Sequence, residues 1–196
     1  MPNLRDLDIT PELLIRAYSS GIFPMGSKDG NINWYCPDPR CIIDLENFHV
    51  SKRLARTIRQ GVFEMKVNTN WDQVIRKCGA RSDVWITKRI IDMYTQLHEL
   101  GYAHSVEAYK DGKLAGGLYG VSLGGAFMGE SMFHDVTDAS KISLVYLVER
   151  LKQRGFTLLD TQYMTEHLRK FSAVEITHQE YLKRLNRALT LDCSFV

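Results

Sequence analysis

At 196 residues, 44% hydrophobic and 24% charged, the chain has the balance of an ordinary globular protein and fits one domain with a small appendage better than two full domains. Its formal net charge of +2 announces no nucleic-acid binder, so contact with RNA would have to come from a local patch. No apolar run approaches bilayer length, Met1–Thr10 has neither region of a secretory leader, and Cys36, Cys41, Cys78 and Cys193 form no Cys-x-x-Cys pair or zinc ladder; a cytoplasmic protein with reduced thiols and no metal is expected.

Thr10-Pro11-Glu12 opens the first helix, with Thr as cap, Pro at the first helical position and Leu13, Leu14, Ala17 and Tyr18 apolar; Gly21 stops it. Phe23-Pro24-Met25, a polar turn over Ser27–Asn31 and Pro37-Asp38-Pro39-Arg40 predict an extended connector. A small N-terminal domain, 1–38, is placed before a larger one, 39–196. Ser51 caps a short helix on which Lys52, Arg56 and Arg59 fall within about 60° of one another, opposite Leu54 and Ile58. Spacing alone leaves this basic face open as solvated surface or RNA contact.

Val62–Val67 reads as a strand, and Asn70 caps a helix with Trp71, Val74, Ile75 and Cys78 apolar, ended by Gly79. After Val84–Thr87 comes a helix carrying Ile90, Ile91, Tyr94 and Leu97. Ala103–Tyr109, Leu114–Val121 and Gly125–Met132 are strands, the first two joined by an Asp111-Gly112 hairpin turn. Thr137 or Asp138 starts a long helix with Ile142, Val145, Tyr146 and Val148 toward the core, Thr157–Gln162 is a strand, and Thr177 with Glu180 forms the capping box of the last helix. The class is α+β. With no Walker A run and no dinucleotide fingerprint, an enzyme built on this chain needs a substrate that arrives activated.

Two stretches carry candidate chemistry. Leu114–Phe133 has six glycines among its twenty residues and one charged side chain, Glu130. Such glycine density in strands suggests bulges or close approach of another backbone or a ligand; the alternative is a buried hairpin with Glu130 at an exposed end. In Leu158–Gln162, strand alternation puts Asp160 and Gln162 on one face and Thr161 on the other. That pair is either a polar site or a hydrogen-bonded clamp on a loop.

Gly116-Gly117-Leu118-Tyr119-Gly120-Val121 followed by Gly129-Glu130-Ser131-Met132-Phe133 resembles the signature of the bacterial leucyl/phenylalanyl-tRNA–protein transferases. Ala17-Tyr18, Gly21-Ile22-Phe23-Pro24, Pro37–Arg40, Trp85-Ile86-Thr87 and Asp160-x-Gln162 with His167 follow the same order, so the resemblance runs from Thr10 to Leu189. It implies an enzyme that moves Leu or Phe, less well Met, from aminoacyl-tRNA to the N-terminal Arg or Lys of a protein, marking that protein for degradation. It further implies an acyl-CoA N-acyltransferase-like C-terminal domain. The chain reads Asp135-Val136-Thr137-Asp138-Ala139-Ser140-Lys141 where a Gly-rich coenzyme A loop would stand, and an aminoacyl ester already stores the energy of transfer, so no cofactor is expected.

On this resemblance Lys52, Arg56 and Arg59 hold the tRNA, and Tyr18, Met25, Trp85 and Tyr94 border the substrates. Met25 departs from the Trp common in the family and removes a stacking surface. Leu118, Phe127, Met128 and Met132 suit an apolar pocket for the donor side chain. Asp160 and Gln162 are assigned to amine orientation and proton handling, with Glu130 holding pocket or acceptor. Asp160 as direct base, or as orienter while the leaving 3′-oxygen takes the proton, both stay open. No nucleophile–His pair is evident, which disfavours covalent catalysis. A monomer is expected. The rival readings are a transferase for another peptide acceptor, such as a cell-wall precursor, and a non-catalytic module binding aminoacyl-tRNA or peptide N-termini.

Overall fold

Alternation along the strands sets the architecture, because neighbouring side chains such as Leu118 and Tyr119, Phe127 and Met128, or Leu158 and Leu159 enter two different cores. The computed structural model describes residues 9–27, 29–80 and 85–196. The readings of Met1–Thr10, Ser27–Asn31 and Val84–Thr87 lie partly outside the described residues. In chain order the elements are α1 (Pro11–Ser19), β1 (Phe23–Gly26), β2 (Ile32–Tyr35), β3 (Arg40–Ile43), α2 (Lys52–Arg59), β4 (Glu64–Val67), α3 (Trp71–Gly79), α4 (Lys88–Glu99), β5 (Ala103–Lys110), β6 (Lys113–Leu123), β7 (Ala126–His134), α5 (Ala139–Gln153), β8 (Leu158–Gln162), α6 (Glu166–Arg169), β9 (Ala173–Ile176) and α7 (His178–Leu189).

One seven-stranded sheet runs β4-β5-β6-β7-β8-β3-β9, and β1 pairs with β2 as a separate hairpin. Every pairing in the large sheet is antiparallel except β7 with β8, which α5 joins as a crossover. Leu14 and Tyr18 of α1, the apolar stripes of α3 and α4, and Tyr181 and Leu185 of α7 cover one face. Leu54 of α2, the long apolar side of α5, and Phe171 and Phe195 cover the other. The fold is therefore mixed α+β with helices on both faces of a mixed sheet. Among the described residues no helix is long and apolar enough to cross a membrane.

Local rules built most elements as read. Thr10, Ser51, Thr87 and Thr177 each accept a backbone N–H three residues on, and Asp111 and Gly112 take φ of 50° and 73° in the β5–β6 turn. Asn70 differs: its side chain makes no cap, and buried Glu107 instead accepts the N–H groups of Thr69 (3.0 Å) and Asn70 (2.9 Å). The capping box at Thr177 is half formed, because Glu180 turns to Arg184 at 2.8 Å. The expected connector holds the β1–β2 hairpin. β3 went unread because it is four buried residues opened by an arginine, without alternation.

Candidate active site

β7 and β8 pair only from Ala126–Leu158 to Met128–Asp160. Beyond that point β7 continues along β6 and β8 along β3, and the sheet opens between them. Both strands are irregular there. Tyr119 pairs Ser131 and Gly120 pairs Gly129, leaving Glu130 as an extra residue of β7; Cys41 pairs Gln162 and Ile42 pairs Asp160, leaving Thr161 extra on β8. Bulges of this kind break the ladder and re-aim side chains. A Cβ on Gly120 would lie 2.3 Å from the Met128 carbonyl oxygen, so the β7 bulge requires glycine opposite it. The opening is a cleft of about 830 Å³ whose walls come from both faces of the sheet.

Its polar end is built around half-buried Glu130. Oε1 accepts the Tyr18 hydroxyl at 2.7 Å, Oε2 accepts the Tyr94 hydroxyl at 3.1 Å, and Gln162 Nε2 donates to Oε1 at 3.5 Å. The two phenols are also hydrogen-bonded to each other. Burial pushes the Glu130 carboxyl up to about 7, against the lowering effect of the two tyrosine hydrogen bonds. Burial first, then Glu130, raises both phenols well above their ordinary value, so they donate. Among the described residues Tyr119 Oη and His167 Nε2, on residues lining the same cleft, are buried without a hydrogen-bond partner.

Asp160 stands directly behind this group and is fully buried. Its Oδ1 accepts Arg40 Nε at 2.9 Å and the Gln162 backbone N–H at 2.9 Å; Oδ2 accepts Arg40 Nη2 at 2.6 Å and the Tyr181 hydroxyl at 2.9 Å. Gln162 has φ of +59°, so strand alternation ends there and a local turn closed by the Asp160 carboxylate places it. Arg40 has no role in the sequence reading; the signal available was an arginine opening a short apolar run after Pro-Asp-Pro.

The apolar end is lined by Leu118, Met132, Leu144, Leu147 and Leu159. Phe127 and Met128 do not line it. At those positions β7 is still paired on both sides, so Phe127 packs against Phe195 with ring centroids 5.0 Å apart and Met128 is buried in the opposite core. Leu144, Leu147 and Leu159 are pocket residues that sequence reasoning missed, since an apolar side chain in a helix or strand pattern reads only as core. Met25 and Trp85 line the wall beside Phe23 and Tyr163, and the Gly26 N–H bonds the Trp85 carbonyl at 2.9 Å, fixing β1 to that segment.

Lys52, Arg56 and Arg59 are exposed on α2 and are not among the residues lining the cleft. Among the described residues they form no ion pair. Arg53 does, gripping Asp138 at 2.6 and 2.7 Å while Lys141 adds a contact at 2.8 Å. The Arg53 hydrogen bond, foremost, holds the Asp138 carboxyl down at about 2. Asp138 therefore anchors α2 to the start of α5 and does not cap α5.

The family model described as leucyl/phenylalanyl-tRNA protein transferase matches residues 42–186, and the model of that transferase's N-terminal domain matches residues 7–38. The leucyl/phenylalanyl-tRNA–protein transferase of Gloeobacter violaceus is 54% identical over 188 residues, covering 95% of this chain and 97% of that protein. That of Rubrobacter xylanophilus is 51% identical over 188 residues, covering 95% and 98%. Among solved structures, L-PGS from Bacillus licheniformis aligns with a TM-score of 0.42 and 15% identity over 81% of this chain, which spans about half (55%) of that protein. Over nearly its whole length, the clefted domain included, the chain belongs to the leucyl/phenylalanyl-tRNA–protein transferase family.

Proposed function

We propose that this protein transfers leucine or phenylalanine, and less well methionine, from aminoacyl-tRNA to the N-terminal Arg or Lys of proteins, marking them for degradation. The reading places it in the cytoplasm as a monomer. It divides the chain at residue 38 into a small N-terminal domain and an acyl-CoA N-acyltransferase-like domain. The separate β1–β2 hairpin supports the division, and the parallel strand pair opening into a cleft supports the domain type. The observation that carries the function is one cleft, in a chain of this family, with an apolar end lined by leucines and Met132 and a polar end holding Glu130 and Gln162.

The donor side chain enters among Leu118, Met132, Leu144, Leu147 and Leu159, bringing its ester carbonyl toward β8. The basic acceptor residue is attracted by Glu130 when that carboxylate is ionised, and Gln162 orients the attacking amine. An N–C bond forms as the bond from the carbonyl carbon to the 3′-oxygen breaks, and the amine proton ends on that leaving oxygen. All four acceptor directions of Asp160 are occupied, which supports orientation of Gln162 over direct proton abstraction. The unpartnered Tyr119 hydroxyl and His167 nitrogen suit polar groups of the substrates.

Incubating the protein with labelled Leu-tRNA and a peptide beginning with Arg tests this directly. Labelled leucine at the peptide N-terminus is expected. Binding of both without transfer would identify a non-catalytic module, and transfer confined to a branched cell-wall peptide would identify a different acceptor.

The two apolar sites should separate by their readouts. Leu147→Ala is expected to shift selectivity between Leu and Phe donors by about 1–3 kcal/mol, the usual worth of methylene groups in a pocket. Phe127→Ala should leave selectivity in place and lower unfolding stability by about 3–5 kcal/mol, the cost of emptying a packed aromatic site. Competition between the two charged tRNAs, set beside denaturant melts, reads both; a selectivity shift in Phe127→Ala would return that residue to the pocket.

The exposed face of α2 supports a tRNA contact through Lys52, Arg56 and Arg59. Each phosphate neutralised contributes about 0.7–0.9 to the slope of log affinity against log salt, so Arg56→Gln with Arg59→Gln should flatten that slope by roughly 1.5. An aminoacyl-adenosine fragment, lacking distant phosphates, should bind the double variant as it binds wild type. Equal slopes would leave this face as ordinary surface.

A further inference from the structure

We infer that Arg40 is a positioning residue of the transfer reaction, acting through Asp160 to hold Gln162 at the cleft and tying the reacting centre to the Gly21–Phe23 segment and to the last helix. This rests on the transferase reading above.

Arg40 is 1% exposed and Asp160 not at all. An ion pair buried so completely is weak support for stability, since removing both charges from water costs about what their attraction returns. What the arrangement supplies is direction. The guanidinium meets both carboxylate oxygens in parallel, at 2.9 and 2.6 Å, a two-point grip that a point charge cannot reproduce. Its remaining nitrogen, Nη1, donates to the Gly21 carbonyl at 2.9 Å. Its central carbon lies over the rings of Phe23 (4.8 Å to the centroid) and Tyr181 (4.4 Å), and the Tyr181 hydroxyl donates to the same carboxylate.

The carboxylate so fixed accepts the backbone N–H of Gln162, a non-glycine residue in the left-handed region. Backbone in that region persists where surrounding contacts over-determine it, and such residues gather at functional sites. From this backbone the Gln162 side chain reaches Glu130. The chain of contacts Gly21–Arg40–Asp160–Gln162–Glu130 thus runs from the N-terminal segment to the cleft. Loosening Arg40 should disturb the amine's approach without touching the tRNA-binding face.

A double-mutant cycle tests this. Arg40→Lys keeps the charge and loses the two-point grip, and is expected to lower kcat about 10- to 100-fold, with KM for Leu-tRNA unchanged. In a Gln162→Ala background the same substitution should change kcat by no more than about twofold, because the group it positions is gone. Tyr181→Phe keeps the ring over Arg40 and removes one hydrogen bond to Asp160. It should reproduce a smaller, roughly three- to tenfold loss that also vanishes in Gln162→Ala, and it reports even where Arg40→Lys fails to fold. Effects of Arg40→Lys or Tyr181→Phe that multiply with that of Gln162→Ala would overturn the inference, as would full kcat in both variants while the wild type is active. A wild type without transfer activity would overturn the underlying function as well.

Discussion

Replacing Asp160 by Asn is expected to lower turnover by roughly two or more orders of magnitude, the scale associated with groups that align a reacting amine, while aminoacyl-tRNA binding stays near wild type. Asparagine keeps the shape and offers one oxygen where Asp160 uses two. If that oxygen serves Arg40 Nε and the Gln162 N–H, the amide nitrogen faces two donors, Arg40 Nη2 and the Tyr181 hydroxyl. Flipping the amide abandons the Gln162 turn instead. Either way a buried guanidinium loses its counter-charge, so stability should also fall, by about 3–5 kcal/mol. Single-turnover kinetics on folded protein at low temperature, with binding measured in parallel, separates the two losses. Unchanged kcat in a folded Asp160→Asn variant would remove Asp160 from the site.

Glu130→Gln should lower kcat/KM for acceptors beginning with Arg or Lys by roughly 30-fold or more, since leaving a desolvated cation unpaired costs about 2–5 kcal/mol. The loss should carry a pH signature. The Glu130 carboxyl lies at about 7, raised by burial from 4.5, so in wild type KM for a basic acceptor falls as pH rises through about 7, while in the Gln variant it stays flat. The acceptor amine's own titration moves kcat in both proteins and cancels in the comparison.

Stability follows the same linkage with its own sign. Between 4.5 and about 7 the folded protein holds a proton that the unfolded chain has released, so wild-type stability declines as pH rises across that window. Glutamine has no such proton. The Gln variant should therefore gain on wild type in melts at about pH 8 relative to about pH 5. Parallel pH profiles of KM in the two proteins would show that Glu130 does not meet the acceptor.

Much of this was legible before any coordinates. Helix caps, the 3.6-residue stripes of α3, α4 and α7, and the alternation of β5 to β7 are local patterns, set by hydrogen bonds and burial within a few residues, and they survive folding. β3 was not, because four buried residues carry no period. The glycines of Leu114–Phe133 suggested bulges or the close approach of a backbone or ligand; Gly120 stands opposite the β7 bulge, and a Cβ on Gly116 would lie 2.6 Å from Ala139 of α5.

The sequence by itself determined the residue types that matter and their family resemblance: a carboxylate in a glycine-rich apolar run, and Asp-x-Gln ending an apolar strand. It could not bring Arg40 to Asp160, 120 positions away, or place Leu144 and Leu147 of α5 opposite Leu118 and Met132. Nor could it tell that Phe127 is core and Met132, five residues on, is cleft. That difference turns on where β7 and β8 stop pairing, and on single extra residues at Glu130 and Thr161. Register and the point of parting are settled by pairing and packing between distant segments, whose energies no local window of sequence contains, so only the tertiary structure decided which side chains face the cleft.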